Sequence, residues 1–330
     1  MMYYIESTST NPHYNLALEQ YAFDALAADH DIFMLWRNDN AIIVGKHQNT
    51  VAEINAAYVK EHGIRVVRRL SGGGAVYHDL GNVNFTFITR AGNLAAFDFA
   101  SFCRPVVKAL ATLGVTAEIN GRNDMTIDGK KFSGNAQYRK KGRIMHHGTI
   151  LYDSDLTVVG EALVVSKDKI ESKGLKSVQS RVTNVKAYMR TEVPVGRFME
   201  ELRDAMFHEF TVAAYALTPK DLAAVQQLCR DVYDTWDWNY GASPAYSITK
   251  ERRVEGVGVI SVHMNVEQGI IRDITFFGDY FSNADASSLP PLLIGHRPEV
   301  EELRLALADV AVEDYFHNLD RETFIAILTQ

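Results

Sequence analysis

The segment that begins at Arg68 combines two adjacent arginines with three consecutive glycines, and this spacing is suited to binding an anion. Arg68 and Arg69 end a β-rich run, and Gly72, Gly73 and Gly74 follow shortly after them. Because glycine lacks a Cβ, successive amides can turn toward a ligand and the backbone can approach it closely. Amides arranged in this way form a concave anion site, beside which the arginines add positive charge. A plain glycine-rich turn between two strands is the alternative that this segment alone leaves open.

A second basic cluster follows a turn signal at Asp128-Gly129. An Asp-Gly pair between short extended runs predicts a tight hairpin. Lys130 and Lys131 would begin the returning strand, where neighbouring side chains point to opposite faces. We therefore expect one lysine to face solvent and the other to face whatever the sheet covers. On its own, a lysine pair after a turn is usually a solvated surface.

Taken together, the two clusters resemble the signatures of the lipoate–protein ligase A family. The first signature, Arg-Arg-x-Ser-Gly-Gly-Gly-Ala-Val followed by His-Asp-Leu-Gly-Asn, is matched throughout residues 68–82. The second, Gly-Arg-Asn-Asp followed by Lys-x-Ser-Gly-x-Ala, is matched at residues 121–124 and 131–136. Further matches lie at residues 14–19, 35–38, 146–149, 177–184 and 236–241. The ordered motifs run from about residue 12 to 245 and continue more loosely beyond.

The resemblance implies an ATP-dependent ligase with two half-reactions. The carboxylate of free lipoate attacks the α-phosphorus of ATP, giving lipoyl-AMP and pyrophosphate. A lysine amine of an apo lipoyl domain then attacks this anhydride to form an amide. The implied acceptors are the lipoyl domains of 2-oxoacid dehydrogenase acyltransferase subunits and the glycine cleavage H protein. Because the first step joins two anions, the site must neutralise charge and hold the reactants in line.

Lys131 matches the key lysine of the family, and the resemblance implies that it bridges the carboxylate and the α-phosphate as a fixed cation. Lys130 is expected to face solvent. The resemblance assigns ATP and the adenylate to Arg69, Ser71, Gly72, Gly73, Gly74, Ala75, Val76, Tyr77, Asn123, Asp124 and Lys131.

The lipoyl tail needs an apolar slot with a polar mouth. Its candidates are Leu16, Leu18, Glu19, Trp36, Val44, Val76, His78, Arg69 and Lys131, with Glu19 and His78 at the rim. Core packing is the alternative for Leu18, Val44 and Val76. Mg²⁺ normally takes one or two carboxylates plus phosphate oxygens, which Asp124 and Asp79 could supply. Either aspartate could instead cap backbone amides in a turn.

Three other activities compete with this interpretation. An octanoyl- or lipoyl-transferase of the same fold passes its acyl group through a cysteine thioester, which requires an activated thiolate. Cys103 and Cys229 lie in helical stretches away from the motifs, which favours buried structural thiols. A biotin–protein ligase shares adenylation but has a different signature. A non-catalytic lipoate or nucleotide binder would not need Arg69, the glycines and Lys131 together.

The adjacent histidines His146 and His147 lie on a predicted strand and therefore point to opposite faces. They cannot chelate a metal as a pair without another ligand, and zinc spacing of cysteines is absent. We expect at least one of them to be a structural hydrogen-bonder near the site.

The elements that must position these residues indicate an α+β fold. The resemblance implies a large mixed-sheet domain like that of biotin–protein ligases and class II synthetases, predicted over residues 1–243. A small α+β accessory domain is predicted over residues 244–330, because 330 residues exceed the ~250–300 at which a single core stops growing. Periodicity predicts helices at 15–28, 55–62, 97–113, 156–163, 197–210, 219–236, 300–311 and 321–328. It predicts strands at 32–36 and 41–45 as a hairpin, at 65–70 and 84–89, and a C-terminal antiparallel pair at 254–266 and 270–277. A basic loop at 166–187 and a linker at 241–244 complete the prediction.

Bulk composition agrees with an enzyme of this kind. The hydrophobic share of 47% and the charged share of 23% are those of a globular protein. A net charge of −7 argues against a nucleic-acid binder. A signal peptide and an apolar run approaching ~20 residues are both absent from the sequence, so neither export nor a membrane span is expected. Two cysteines do not suggest a disulfide framework, and the expected location is the reduced cytoplasm.

Overall fold

The computed structural model describes residues 1–27, 30–92, 98–121, 123–163, 181–240, 248–267 and 270–329. Most of the predicted basic loop and the predicted linker lie outside these ranges. The described strands are β1 (Met2–Glu6), β2 (Asp31–Trp36), β3 (Ala41–Val44), β4 (Arg65–Arg68), β5 (Val76–His78), β6 (Asn82–Arg90), β7 (Glu118–Asn120), β8 (Asp124–Ile127), β9 (Lys130–Lys140), β10 (Arg143–Leu151), β11 (Val212–Ala214), β12 (Ile248–Val254), β13 (Gly258–Glu267) and β14 (Ile270–Gly278).

The described α-helices are α1 (Pro12–Tyr21), α2 (Thr50–Glu53), α3 (Ala56–Glu61), α4 (Phe99–Thr112), α5 (Leu156–Ala162), α6 (Val195–Glu209), α7 (Pro219–Leu228), α8 (Trp236–Asn239), α9 (Pro290–Leu293), α10 (Val300–Ala306), α11 (Val312–Tyr315) and α12 (Arg321–Thr329). Two single π turns, Ala22–Leu26 and Cys229–Tyr233, extend α1 and α7. Within the described ranges, none of these helices has the length and apolar character needed to cross a bilayer.

Eight described strands form a large mixed sheet in the order β11-β1-β2-β6-β10-β9-β8-β7. β1 runs parallel to β2 and β11, whereas β2, β6, β10, β9, β8 and β7 are successively antiparallel. Along β2 the side chains alternate between two cores: Phe33 and Leu35 pack with α4 and α6, and Met34 and Trp36 pack with α1 and α7. The sheet is therefore covered by helices on both faces, which confirms the predicted α+β class.

A second sheet, in the order β4-β3-β5, supports the glycine run. β3 pairs parallel to β4 and antiparallel to β5. The predicted hairpin between β2 and β3 is wrong, because β2 belongs to the large sheet and β3 to this smaller one. Both strands are almost continuously buried, so each lies inside a covered sheet rather than pairing with the other at a half-exposed edge.

The C-terminal residues form a third sheet, β12-β13-β14, packed against α9 to α12 around its own hydrophobic cluster. The predicted two-stranded unit is wrong in one respect: residues 255–257 turn the chain, and β12 adds a third strand. Gly256 at φ +76° and Gly258 at φ +127° make that turn possible. The division at 243/244 stays a prediction.

Several predicted helices begin or end elsewhere. The predicted helix 219–236 is divided into α7, its π turn and α8, and the predicted helix 300–311 ends at Ala306. The predicted end of the helix at 97–113 is confirmed within one residue, since α4 ends at Thr112 and Gly114 adopts φ +84° two residues later.

Candidate functional site

A cavity of about 410 Å³ opens where the glycine run, the β8–β9 hairpin and the edge of the C-terminal sheet meet. This volume suits a small organic ligand. Predicted residues on its wall are Leu16, Trp36, Arg69, Gly73, Gly74, Ala75, Val76, His78, Asn123, Asp124 and Lys131. Other residues on the wall include Ile43, Glu53, Asn84, Asn135, Thr149, Arg181, Arg253 and Asp279.

The glycine run connects β4 to β5 and is built around the Arg69 side chain. Its guanidinium donates hydrogen bonds to the carbonyls of Ile43 (3.1 Å), Gly72 (2.7 Å) and Gly74 (2.9 Å). Its Nε donates to Ser71 Oγ at 3.0 Å. Arg69 is buried, and burial lowers the pKa of its guanidinium to about 10, so it remains charged at neutral pH. Arg69 therefore fixes the shape of the loop as well as contributing charge to the cavity wall.

Two glycines of this run are required by close contact. Gly73 adopts φ +92°, and a Cβ there would lie 3.0 Å from Arg69 Nη2. A Cβ on Gly72 would lie 2.2 Å from the carbonyl oxygen of Tyr280, in the C-terminal part of the chain. At Gly74 a Cβ would meet open space. The run is thus held tightly at two positions and open toward the cavity at the third.

Arg68 does not reach the cavity. Its side chain is buried and donates to the carbonyls of Gly45 (2.9 Å) and Gln48 (2.7 Å) and to Thr50 Oγ1 (2.6 Å). Burial lowers the pKa of Arg68 to about 10, as it does for Arg69. The predicted fixed charge beside the loop therefore comes from Arg69, and Arg68 tethers the neighbouring segment.

The predicted tight hairpin at Asp128-Gly129 is confirmed. Both residues have positive φ, +50° and +74°, and Ile127 pairs with Lys130 across the turn. This is the geometry of a two-residue hairpin turn, which the Asp-Gly sequence favours.

The lysine pair after the turn divides as expected. Lys130 is exposed, whereas the Lys131 side chain is 39% exposed and reaches the cavity wall. Its Nζ lies 2.7 Å from Asp124 Oδ1 on the adjacent strand. A Cβ on Gly134 would approach Lys131 Nζ to 3.1 Å, so the glycine leaves room for the ammonium group.

Part of the cavity wall is apolar. Leu16, Trp36, Ile43 and Val76 lie on the wall and belong to one hydrophobic cluster, which forms an apolar slot. His78 lies edge-on to the Trp36 ring with centroids 6.4 Å apart. His78 Nδ1 is hydrogen-bonded to Asn38 at 3.1 Å, while its buried Nε2 has no partner among the described residues. Burial and the nearby Arg69 charge lower the pKa of His78 to about 3, so it is neutral at physiological pH.

A hydrogen-bond network joins this slot to the glycine run. Trp36 Nε1 donates to Thr86 Oγ1 (2.9 Å), whose hydroxyl donates to Glu19 Oε1 (2.7 Å). His147 links Glu19 Oε1 (2.8 Å) to Ser71 Oγ (2.6 Å). Because a carboxylate only accepts, His147 donates from Nδ1 to Glu19, and in the neutral form of the ring its Nε2 accepts from the Ser71 hydroxyl.

His146 points away from this network into the opposite core, where it stacks on Phe102 and is hydrogen-bonded to Gln137 at 3.0 Å. The predicted opposite orientation of the two histidines is confirmed. His147 is the structural hydrogen-bonder that lies next to the site.

Six of the residues predicted to bind ATP or lipoate do not line the cavity. Glu19 is 1% exposed and lies behind the wall rather than at the rim. Leu18 and Val44 are buried in the neighbouring cores because their side chains lie on faces turned away from the cavity. Ser71 and Gly72 support the loop from behind, and the Tyr77 hydroxyl donates to Asn40 outside the cavity.

The wall residues that the sequence reasoning missed include Ile43, Arg253 and Asp279. Ile43 is the strand neighbour of the predicted Val44, so alternation could have indicated it. Arg253 and Asp279 come from the C-terminal sheet and belong to none of the matched motifs.

The aspartates proposed for magnesium differ in their surroundings. Asp79 accepts the backbone amides of Gly81 (2.9 Å) and Asp155 (2.7 Å), as a turn-capping residue does. Asp124 lies on the cavity wall with one oxygen paired to Lys131. Within the described residues no cluster of three or more potential His, Cys, Asp or Glu ligands occurs. Of the two aspartates, Asp124 fits the mode in which phosphate oxygens complete the coordination of magnesium.

Neither cysteine is suited to nucleophilic catalysis. Both are buried, and burial raises the pKa of the Cys103 thiol to about 12 and that of Cys229 to about 11. Neither lines the cavity. Because the thiolate is the nucleophile in thioester formation, the geometry does not support the transferase alternative.

Comparison with known proteins gives consistent matches. The lipoyl protein ligase A/B catalytic domain matches residues 11–207, and the bacterial lipoate protein ligase C-terminus matches residues 243–328. The lipoate-protein ligase LplJ of Bacillus subtilis is 43% identical to this chain, covering 99% of this chain and 100% of that protein.

Solved structures that resemble this chain include proteins described as lipoate ligases or as bound to lipoate. LipL1 of P. falciparum, in complex with lipoate, superposes with a TM-score of 0.82 at 25% identity, covering 100% of this chain and 98% of that one. The bi-partite archaeal ligase from Thermoplasma acidophilum, described with its E2 lipoyl domain, has a TM-score of 0.63 at 28% identity over 75% of this chain and 98% of its own. A lipoate-protein ligase A bound with ATP has a TM-score of 0.60 at 27% identity over 73% and 98%. The cavity wall draws on both matched ranges, Lys131 from the first and Arg253 from the second.

Proposed function

The chain belongs to the lipoate–protein ligase family, and from this premise we propose that it activates free lipoate with ATP and transfers the lipoyl group to a lysine of an apo lipoyl domain. One observation carries the proposal: a single cavity joins an apolar slot to a glycine loop and a half-exposed lysine. A lipoyl tail fits the first, and phosphate and carboxylate groups fit the second.

The first half-reaction needs two anions in contact. The carboxylate oxygen attacks the α-phosphorus, and the bond to the bridging oxygen of the pyrophosphate group breaks. Lys131 is the cavity-wall ammonium that can contact both groups, since its Nζ is held by Asp124 at 2.7 Å and remains 39% exposed. A fixed cation of this kind stabilises the charge that develops on the phosphoryl oxygens.

The glycine loop holds the nucleotide. Gly73 and Gly74 lie on the cavity wall, and Arg69 keeps the surrounding carbonyls turned into its guanidinium. With those carbonyls engaged, the loop can present amides rather than carbonyl oxygens to the phosphates. A rigid loop also lowers the ordering cost of binding.

The apolar slot holds the acyl chain. Leu16, Trp36 and Val76 provide its surface, and the network through Thr86 and Glu19 fixes the Trp36 ring. His78 Nε2, beside the apolar slot, is a buried polar atom to which a ligand or a water can form a hydrogen bond.

The second half-reaction transfers the acyl group. The amine of an acceptor lysine attacks the acyl carbon of lipoyl-AMP, AMP leaves, and the amine proton passes to solvent. We propose the lipoyl domains of 2-oxoacid dehydrogenase acyltransferases and the glycine cleavage H protein as acceptors. The T. acidophilum relative, described with its E2 lipoyl domain, supports the first of these.

Three further assignments complete the proposal. Asp124 is proposed to share a magnesium ion with the ATP phosphates, which would add neutralising charge. The chain is proposed to divide between residues 243 and 244 into a catalytic and an accessory domain. The proposed location of the reaction is the cytoplasm.

Intact mass spectrometry of an apo lipoyl domain tests the function. The domain is incubated with the protein and free lipoate, with and without Mg-ATP. We expect the mass of one lipoyl group to be added only when ATP is present. The absence of any gain with folded protein, or a gain that needs a carrier-bound donor in place of ATP, would contradict the proposal.

A further inference from the structure

The positively charged side chains on the cavity wall differ in whether they already have partners within the protein. Arg69 donates hydrogen bonds to three carbonyls and a hydroxyl, and Lys131 forms an ion pair with Asp124. Arg181 and Arg253 also line the cavity, and neither has an ion pair with any residue in the described ranges. Arg181 belongs to a motif matched from the sequence, whereas Arg253 belongs to none.

The strand register explains why Arg253 points toward the cavity. Val254, its neighbour on β12, packs against the core of the C-terminal sheet, so Arg253 lies on the opposite face. Across the strand pair Arg253 is opposite Val259. Asp279, a carboxylate on the same wall, accepts the Val259 amide on one oxygen and forms no salt bridge with Arg253 in the described part of the chain.

The C-terminal part of the chain packs on the glycine run and on the segment that follows β3. The amide of Gly278 donates to the His47 carbonyl at 2.6 Å, and His47 Nε2 lies 3.1 Å from Ser282 Oγ. The His47 and Tyr280 rings stack with centroids 4.6 Å apart, and the Tyr280 carbonyl lies against Gly72. These contacts fix the position from which Arg253 enters the cavity.

We propose that Arg253 is a catalytic residue of the adenylation step, which binds the β- and γ-phosphates of ATP. The inference rests on the proposed function. Lys131 is placed at the carboxylate and the α-phosphate, so the charge left to neutralise is that of the departing pyrophosphate. When the bond between the α-phosphorus and the bridging oxygen breaks, its electron pair leaves with pyrophosphate, and no proton or redox partner is needed. A guanidinium suits this group because it can donate two parallel hydrogen bonds to phosphate oxygens.

The proposal separates the two half-reactions. Pyrophosphate is present only in the first, so loss of Arg253 should slow adenylation and leave transfer from lipoyl-AMP unchanged. Arg252 provides a matched control, because it is an exposed arginine one residue away, on the other face of β12 and off the cavity wall.

The experiment measures ATP–pyrophosphate exchange with lipoate and, separately, transfer from synthetic lipoyl-AMP to an apo lipoyl domain. We expect Arg253→Ala to slow exchange about 10- to 100-fold, with transfer at the wild-type rate. Arg252→Ala should match the wild type in both assays, and Arg253→Lys should recover part of the exchange rate. Unimpaired transfer also shows that the variant is folded.

Wild-type exchange in Arg253→Ala would overturn the inference and leave the proposed function standing. Equal losses of exchange and transfer would overturn it as well, because they indicate a structural role. If the wild-type protein itself makes no lipoyl-AMP, the proposed function fails and the inference fails with it.

Discussion

The chain has two pairs of consecutive basic residues near this site, and each pair contributes one residue to the cavity wall in a different way. Arg68 and Arg69 are both buried, and their guanidinium groups are engaged by backbone carbonyls and hydroxyls. Lys130 and Lys131 follow a hairpin turn, where one faces solvent and the other reaches the cavity with a single carboxylate partner. Burial with several partners makes an arginine part of the framework. A half-exposed lysine remains available to a ligand.

This difference predicts that mutations in the two pairs affect different properties of the protein, activity in one case and stability in the other. Loss of Lys131 should affect chemistry with little effect on stability, whereas loss of either arginine should affect stability first.

The largest expected effect is that of Lys131→Ala. We expect adenylate formation to fall about 10³-fold, because the cation that stabilises the phosphoryl transition state is lost. The free energy of unfolding should change by no more than about 0.5 kcal/mol, as for other partly exposed side chains. Lys130→Ala is the control and should retain full activity. Full activity in Lys131→Ala would show that Lys131 does not bind the reacting groups, and would contradict the contrast drawn between the lysines and the arginines.

The next largest effect is that of Arg69→Met. Removing the guanidinium leaves the buried carbonyls of Ile43 and Gly72 without this donor, at a cost of about 1–3 kcal/mol each, and the partly buried Gly74 carbonyl loses it as well. We expect urea unfolding to show a loss of about 3 kcal/mol or more. ATP affinity should also fall, because the loop loses its shape. A loss below about 1 kcal/mol would show that Arg69 is not a framework residue.

Arg68→Met sharpens the distinction between framework and cavity. Its guanidinium is also buried but does not line the cavity, so the variant should lose stability while the folded fraction keeps its ATP affinity. Titration calorimetry at low temperature, where the variant is folded, checks this outcome.

A smaller loss of stability is expected when Gly73 is mutated, and almost none when Gly74 is mutated. Gly73 has φ +92° and no room beside Arg69, so Gly73→Ala should destabilise the fold by about 2 kcal/mol. Gly74 has an ordinary φ and open space where a Cβ would lie, so Gly74→Ala should have little effect on stability. Thermal unfolding of the two variants provides the comparison. Equal stability would mean that the left-handed conformation of Gly73 is not needed. Gly73→Val, with its larger side chain, should in addition weaken nucleotide binding.

The smallest effect is the loss of stability at acid pH that is due to His47, which lies after β3 in contact with C-terminal residues. Burial, reinforced by the charges of Lys46 and Arg68, lowers the pKa of His47 to about 3, against about 6.5 in the unfolded chain. Between these values the unfolded chain binds a proton that the folded protein does not, so stability falls as the pH drops below about 6.5.

We expect His47 to account for about 1 kcal/mol of the stability lost between pH 7 and pH 5.5. His78 and His146 act in the same direction, because burial lowers their pKa as well. His47→Gln should therefore show a shallower pH dependence of urea unfolding than the wild type. An unchanged slope would contradict the assignment.

Local chemistry explains which parts of the fold could be predicted. The Asp128-Gly129 hairpin depends on two residues that tolerate positive φ, so its sequence is sufficient to predict it. The pairing of β2 and β3 is a long-range property, and two buried apolar runs do not indicate which sheet each will join. The prediction of a hairpin was therefore wrong there.

The site shows the same division. Motif residues such as Gly73 and Lys131 lie on the cavity wall, as their motifs predict. The choice of Val44 instead of Ile43 differs by one residue along a strand, which is enough to reverse the face. Arg253 could not be predicted, because its approach to the cavity depends on how a sheet nearly two hundred residues from Arg69 packs on the glycine loop.

The central claim is that this cavity activates lipoate as an adenylate. It is tested most directly by rapid quench of the protein with α-phosphate-labelled ATP and lipoate, without an acceptor domain. The account predicts that label accumulates as enzyme-bound lipoyl-AMP in the wild type and in Lys130→Ala, and that it is absent in Lys131→Ala. Label that stays in ATP in the folded wild-type protein, with no lipoyl-AMP formed, would contradict it.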